Sequence, residues 1–209
     1  AVKALKYVPV PVVGAPSGLG VGGGFEVLAH CDKLVVHSNS VLGLVESAVG
    51  VVPSGGGVKE SYLRWYQKTR SWNEAAWKCW MNIGYAATGS SPELSARLQY
   101  FRPDQDETIM NRDRLLPRAI ALAGELSANY QPPQPPKAQL AAASLADKMA
   151  DFMQAGVDKG DFMPHDKTTA MAIASIMVQS AGDAADVDED TLYARERAAF
   201  ISLAKTTPV

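Results

Sequence analysis

Three consecutive glycines followed by an aromatic residue and an acid, Gly22-Gly23-Gly24-Phe25-Glu26, constrain this chain more than any other stretch. Backbone without side chains adds nothing to a core, so such a run belongs where the chain turns tightly or where another molecule must approach the backbone. Twenty residues after Glu26, at the end of the next extended segment, stands Glu46 in Gly43-Leu44-Val45-Glu46. Amides that can hold an oxyanion, together with two carboxylates that can move protons, suit chemistry on a carbonyl compound.

The chain has 209 residues, 47% of them hydrophobic, enough to bury a sizeable core in one domain or one domain with an appendage. A net charge of −2 with no basic block points away from nucleic acid. Two cysteines, Cys31 and Cys79, without regular spacing fit a reducing compartment rather than a disulfide framework or a zinc site. No apolar run has the length of a membrane span and no signal peptide is visible, so the cytoplasm is the default expectation. The chain begins Ala1-Val2-Lys3, reading as the tail of an amphipathic helix, and ends Thr206-Thr207-Pro208-Val209 after an apolar helix. Such ends suggest a piece of something longer.

Residues 9–15 read as a buried extended segment, 18–24 as a glycine-rich turn and 25–30 as a short helix. Residues 33–37 and 41–45 read as strands, 53–57 as a second glycine-rich loop, and 58–68 as the helix that follows. Helical spacing of Trp77, Trp80 and Met81 predicts a helix over 73–85. Ser91-Pro92-Glu93 is a helix-start signature. Leu115, Leu122 and Leu126 lie on one face of a helix over 111–128, where Pro117 means a kink or a later start. Residues 130–137 form a stiff proline-rich linker. Three helices follow: 139–155 with Leu140, Leu145, Met149 and Phe152 inward and Gly156 as the stop; a second from Pro164 to Gly182; and a third over 190–204 using Leu192, Ala199, Phe200 and Leu203. Residues 183–190 read as a solvated acidic loop. The division is an α/β portion up to about residue 102 and a helical portion after it.

Gly18-x-Gly20-x-x-Gly23 matches a dinucleotide fingerprint, with Glu46 as a candidate ribose acid. A helix over 25–30 is too short to cross back over a sheet, and the next strand ends in His37-Ser38 rather than in an acid. Neither glycine cluster continues as Gly-Lys-Ser/Thr, which excludes a Walker-type phosphate loop. His30 and His37 read as structural residues, because nothing pairs them with a nucleophile. His165 reads as part of a helix start, Cys31 as a small buried filler, and Trp72, Trp77 and Trp80 as core or subunit contact.

Residues 10–59 resemble the crotonase (enoyl-CoA hydratase/isomerase) superfamily. The resemblance is carried by Pro11-Val12-Val13-Gly14-Ala15, Ser17-Gly18, Val21-Gly22-Gly23-Gly24-Phe25-Glu26, Cys31-Asp32, Leu42-Gly43-Leu44-Val45-Glu46 and Gly50-Val51-Val52-Pro53-Ser54-Gly55-Gly56-Gly57, with spacing in agreement throughout. Met110-Asn111-Arg112-Asp113-Arg114-Leu115-Leu116 and Glu196-Arg197-Ala198-Ala199-Phe200 look like a narrower group, the bacterial bifunctional 3-hydroxyacyl-CoA dehydrogenase/enoyl-CoA hydratase proteins. With them the resemblance covers nearly the whole chain.

The resemblance implies an α/β fold: a crotonase-type ββα spiral core, incomplete at the N-terminus, followed by an all-helical extension. Its divisions are 1–102 for the core with the catalytic loops, 103–129 for a helical segment packing on it, 130–137 for the linker and 138–209 for the extension. It implies hydration of a trans-2-enoyl-CoA in fatty-acid β-oxidation. Gly23 would supply an oxyanion-hole amide, and Gly22 and Ser54 would help position substrate and water. Glu26 would deprotonate the water attacking the β-carbon, and Glu46 would protonate the α-carbon.

Both glutamates being present favours a hydratase over a Δ3,Δ2-enoyl-CoA isomerase; a non-catalytic fragment serving packing or assembly is the other alternative. Val45 stands where the family has Pro and Ser54 where it often has Gly. The family's other oxyanion amide lies upstream of Val10, so the missing N-terminal half of the core is an expected partner. No metal and no dissociable cofactor is implied, because CoA is part of the acyl-CoA thioester substrate; NAD would belong to an attached dehydrogenase domain. The resemblance leaves the oligomeric state open, because crotonases form trimers and hexamers through C-terminal helices while the fused proteins associate differently.

Overall fold

A computed structural model describes residues 1–206, so the reading of the last three residues lies outside the described part. In chain order the elements are α1 (Val2–Lys6), β1 (Val13–Gly14), β2 (Leu19–Val21), α2 (Gly23–Ala29), β3 (Lys33–His37), β4 (Val41–Gly43), a 3-10 turn (Glu46–Val49), α3 (Gly57–Thr69), α4 (Trp72–Gly84), β5 (Thr88–Gly89), α5 (Pro92–Arg97), β6 (Glu107–Ile109), a 3-10 turn (Arg112–Arg114), α6 (Leu115–Ser127), β7 (Lys137–Gln139), α7 (Ser144–Lys159), α8 (Pro164–Met177), β8 (Asp186–Asp188) and α9 (Glu189–Ala204). This is the mixed α/β architecture with a large helical extension that the sequence predicts. The chain forms two compact units: residues 1–44 with 88–134, and residues 45–87 with 135 onward.

The first unit holds two small sheets, ordered β1-β3-β6 and β2-β4-β5. β1, β3 and β6 run parallel, as do β2 and β4, while β5 is antiparallel to β4. β3 occupies the predicted residues because Leu34, Val35 and Val36 are all fully buried, the near-continuous apolar run of a strand covered on both faces. α6 covers the first sheet: Leu115, Ala119 and Leu122 pack with Val35, and Val13 and Ile109 close the cluster. It begins at Leu115, so Pro117 falls in the first turn, where a missing N–H costs nothing. β1 is only two residues long because Pro9, Pro11 and Pro16 on either side cannot donate to a ladder.

Beside this core, buried Asp106 ties its loop to the sheet. Its Oδ1 accepts from the Leu34 amide at 3.0 Å, and its Oδ2 accepts from the Arg102 amide at 2.8 Å. Asp32 accepts from the Val12 amide at 2.7 Å and from the Tyr130 hydroxyl at 3.0 Å, anchoring the start of the proline-rich segment. Burial, followed by that carboxylate, pushes the Tyr130 phenol up to about 12.

The second unit is mainly helical. α3 and α4 pack against each other, and Leu63 packs with Ala138, Leu140 and Leu192 from the later segments. The short antiparallel ribbon β7-β8, which the sequence reading does not anticipate, pairs the end of the proline-rich stretch with the predicted acidic loop. The Tyr62 hydroxyl donates to the Gln139 carbonyl at 2.8 Å beside it. α8 stops at Met177, five residues before the predicted Gly182, because the next backbone is drawn into sheet-like bonds: Ala141 donates to Met177 and Gln179 donates to Ala141. Gly156 does not end α7. It is buried inside the helix, and a β-carbon there would collide with the Phe162 ring, so the glycine is needed for close packing. Gly160, at φ 80°, is the actual stop.

Candidate active site

The strand-to-helix turn at Gly22 is made in one residue. β2 ends at Val21, and Gly22 adopts φ 58° and ψ −132°, a combination open only to glycine. Its amide donates to the Gly43 carbonyl at 2.9 Å and so extends the pairing of β2 with β4. Gly22 therefore shapes the turn, while its own N–H is used inside the protein. α2 then starts at Gly23, two residues earlier than predicted. The first intrahelical bond of this turn is the Glu26 amide to the Gly22 carbonyl, at 3.0 Å.

The amides of Gly23 and Gly24 precede that bond and have no partner within the helix. Both residues are exposed. A β-carbon on Gly24 would meet nothing within 4 Å, so internal packing does not demand glycine there. On Gly23 the nearest such neighbour would be Oε2 of Glu26, at 4.0 Å. The Glu26 carboxyl group thus folds back over the first turn, and its residue is 92% buried. Two exposed amides at the positive end of a helix, beside a carboxylate, can receive an oxygen that gains negative charge and can take up a proton.

Packing holds this turn in place. Phe25 is fully buried and meets Tyr100 edge-on, with ring centroids 4.7 Å apart. At the other end of α2, His30 Nδ1 donates to the Glu26 carbonyl at 2.6 Å, and the Cys31 thiol donates to the Val27 carbonyl. His30 and Cys31 are buried and finish the helix. His37 is half-buried, and its Nδ1 accepts from the Asn39 amide at 3.2 Å. The dinucleotide fingerprint has no loop to form, because Leu19–Val21 in its middle is itself a strand of the sheet.

Glu46 opens the 3-10 turn of the second unit and is half-buried. The turn closes at Gly50, which has φ 77°. Two helices pin it: the Ser47 hydroxyl donates to the Ile83 carbonyl at the end of α4, and His165 Nε2 at the start of α8 donates to the Gly50 carbonyl at 3.3 Å. His165 thus reaches beyond the helix start in which the sequence places it. Ser54 is exposed in the loop ahead of α3.

The structure brings Gly22, Gly23 and Glu26 together at one turn, and places Glu46 and Ser54 in the other unit. The second glycine cluster is filled from within. Glu196 on α9, fully buried, accepts from the Gly56 amide at 2.6 Å through Oε2 and from the Lys59 amide at 2.7 Å through Oε1. A carboxylate of the chain itself occupies the anion position at the start of α3. The sequence reading misses this role, yet its signal is present: Glu196 lies in register with Leu192, Ala199 and Leu203 on the buried stripe of α9. The Lys59 ammonium, also fully buried, bonds to Glu60 and Glu189 and lies 4.4 Å from the Tyr193 ring centroid. Among the described residues, no three His, Cys, Asp or Glu side chains gather to hold a metal ion, and no helix is long and apolar enough to cross a membrane.

A family model described as enoyl-CoA hydratase/isomerase matches residues 1–67. A protein of Bacillus subtilis named probable 3-hydroxyacyl-CoA dehydrogenase is 31% identical over 201 residues, which are 95% of this chain and 25% of that protein. The mitochondrial methylglutaconyl-CoA hydratase of Mus musculus is 42% identical over 55 residues, covering 26% of this chain and 18% of that one. The chain therefore spans about a quarter or less of the length of these relatives. Among solved structures, carnitinyl-CoA hydratase from Mycobacterium avium superposes with a TM-score of 0.53 at 17% identity, over 94% of this chain and 55% of that one, and shares the fold. With the glycine turn and its buried glutamate built as described, these sequence matches support a relationship to the crotonase (enoyl-CoA hydratase/isomerase) superfamily, carried most directly by residues 1–67.

Proposed function

We propose that the protein carrying this chain hydrates trans-2-enoyl-CoA thioesters, with Glu26 and Gly23 at the centre of the chemistry. The observation that carries this reading is the exposed Gly23 amide at the start of α2, with the Glu26 carboxyl group folded back beside it. Conjugate addition of water forms a C–O bond at the β-carbon and a C–H bond at the α-carbon, and it breaks one O–H bond of water. In between, negative charge collects on the thioester oxygen, where a preorganised amide stabilises it at no reorganisation cost. Glu26 accepts the proton of the attacking water. The family pattern gives Glu46 the delivery of a proton to the α-carbon, and Ser54 a part in holding water through its loop. Gly22 contributes the shape of the turn. The substrate brings its own CoA, so this step uses no separate cofactor.

The similarity to the Bacillus protein over nearly the whole chain supports a parent with a 3-hydroxyacyl-CoA dehydrogenase part, which would use NAD and consume the hydroxyacyl product. Incubation of the full-length protein with crotonyl-CoA in deuterated water tests the reading. The expected result is loss of enoyl absorbance with one deuterium at the α-carbon of a 3-hydroxy product. Exchange at that carbon without net hydration would point to the isomerase alternative, and the absence of both reactions would refute the proposal.

A further inference from the structure

Helix α6 has a second apolar stripe beside the one that packs on the first sheet. Leu115, Ala119 and Leu122 face the sheet. Leu116, Ile120, Ala123 and Ser127 share the neighbouring stripe, at i, i+4, i+7 and i+11 spacing, and Gly124 borders it. Leu116 is 63% exposed and Ile120 is 64% exposed, and Gly124 and Ser127 are exposed as well. The stripe is therefore bulky in its N-terminal half and shallow in its C-terminal half. Internal packing does not demand glycine at 124, because a β-carbon there would meet nothing within 4 Å, and glycine weakens the helix. The ion pairs of α6 lie on its other flank, where Arg118 binds Glu107 at 2.7 Å and Glu125 at 2.6 Å. Charge at the two ends runs against the helix dipole. The exposed turn Arg112-Asp113-Arg114, net positive, precedes the positive end of α6, whose first turn has no acid and whose last turn has no basic residue.

We infer that this stripe is a contact between two copies of the protein, with their α6 helices packed antiparallel about a two-fold axis. In that arrangement Ile120 of one copy meets Ala123 and Gly124 of the other, and Leu116 meets Ser127, so each bulky side chain enters a hollow and does so twice by symmetry. Small residues opposite large ones let the two helices approach within the usual spacing of packed helices. The same arrangement brings the Arg112-Asp113-Arg114 turn of each copy to the C-terminal end of the other α6. The last carbonyls there carry partial negative charge, and the helix supplies no cation of its own in that turn. Shape and charge are thus both self-complementary along one helix, which fits a second copy better than an unrelated partner. The contact lies wholly within the first unit and does not depend on the hydratase reading. One helix pair buries less than the roughly 1,200 Å² of a standard interface, so the dimer forms and dissociates in the micromolar range.

Gly124→Leu separates this contact from a merely adhesive surface. It adds apolar area to the exposed stripe, which would strengthen non-specific association, yet it fills the hollow that receives Ile120. Sedimentation velocity of the full-length protein over a micromolar concentration series is the measurement. A concentration-dependent dimer is expected for the wild type. Gly124→Leu and Ile120→Ser should each raise its dissociation constant by about tenfold or more, the scale of a central interface residue. Both variants should melt close to the wild type, because neither residue packs in the core of its unit. A monomer at every concentration, an assembly unaffected by the two substitutions, or a tighter dimer in Gly124→Leu would each overturn the inference.

Discussion

Lys59 and Cys79 show how much chemistry at the residue scale is spent on the fold rather than on substrate. Lys59 is fully buried with Glu60 and Glu189 bonded to its ammonium. Replacing it with Met removes the cation shared by two buried carboxylates and should cost about 3–5 kcal/mol, the range for breaking a buried ion pair from one side. Urea unfolding should show a lower midpoint at constant slope. Burial pushes the fully buried Cys79 thiol up to about 12, with Ser61 lowering it slightly and the Glu196 charge adding to the rise. The folded state thus holds this proton more tightly than the unfolded chain, whose thiol titrates near 9. The stability from the neutral thiol is complete below pH 9 and is lost as pH climbs toward 12. The drop in melting temperature between pH 8 and pH 10.5 should therefore be smaller in Cys79→Ala than in the wild type. The turn that joins Gly23 to Glu26 is legible in the sequence because it is local, written in five consecutive residues. Glu196 was harder to read, because its partners at Gly56 and Lys59 lie nearly 140 positions away.

At the scale of elements, local signals placed the helices well and the ends less well. Ser91 caps α5 as the sequence signals, its hydroxyl accepting from the Leu94 amide at 3.3 Å. β3 and the body of α3 also follow from pattern alone. The misplaced features depend on distant partners. β2 crosses the predicted glycine turn because β4 pairs with it, and β7 and β8 exist only through each other. Gly156 is the most instructive case, since helix grammar makes it a stop and packing makes it an interior residue. Gly156→Ala should improve intrinsic helix propensity by roughly 1 kcal/mol. Collision of the new methyl group with the Phe162 ring should cost about 1–3 kcal/mol, the usual penalty for overpacking, and so exceed that gain by up to about 2 kcal/mol. A net loss of stability on thermal unfolding is expected; a gain would show that Phe162 moves aside freely.

At the scale of the whole molecule, the chain enters its second unit at Val45, leaves it at Ala87 and returns to it at Pro135. Only the last passage has a visible mark, in the proline-rich run. The first two have none, because unit membership is set by long-range pairing such as Leu42 with Gly89. The candidate residues divide along the same line, with Gly22, Gly23 and Glu26 before the first passage and Glu46 and Ser54 after it. The central claim is that the two glutamates handle the protons of hydration. It is tested most directly by steady-state turnover of crotonyl-CoA in the full-length protein and its Glu26→Gln and Glu46→Gln variants, with melting temperatures measured alongside. Each variant should lose about 100-fold or more in kcat, the scale of positioned acid–base catalysis, while melting as the wild type does. Near-normal turnover in either variant would contradict the account.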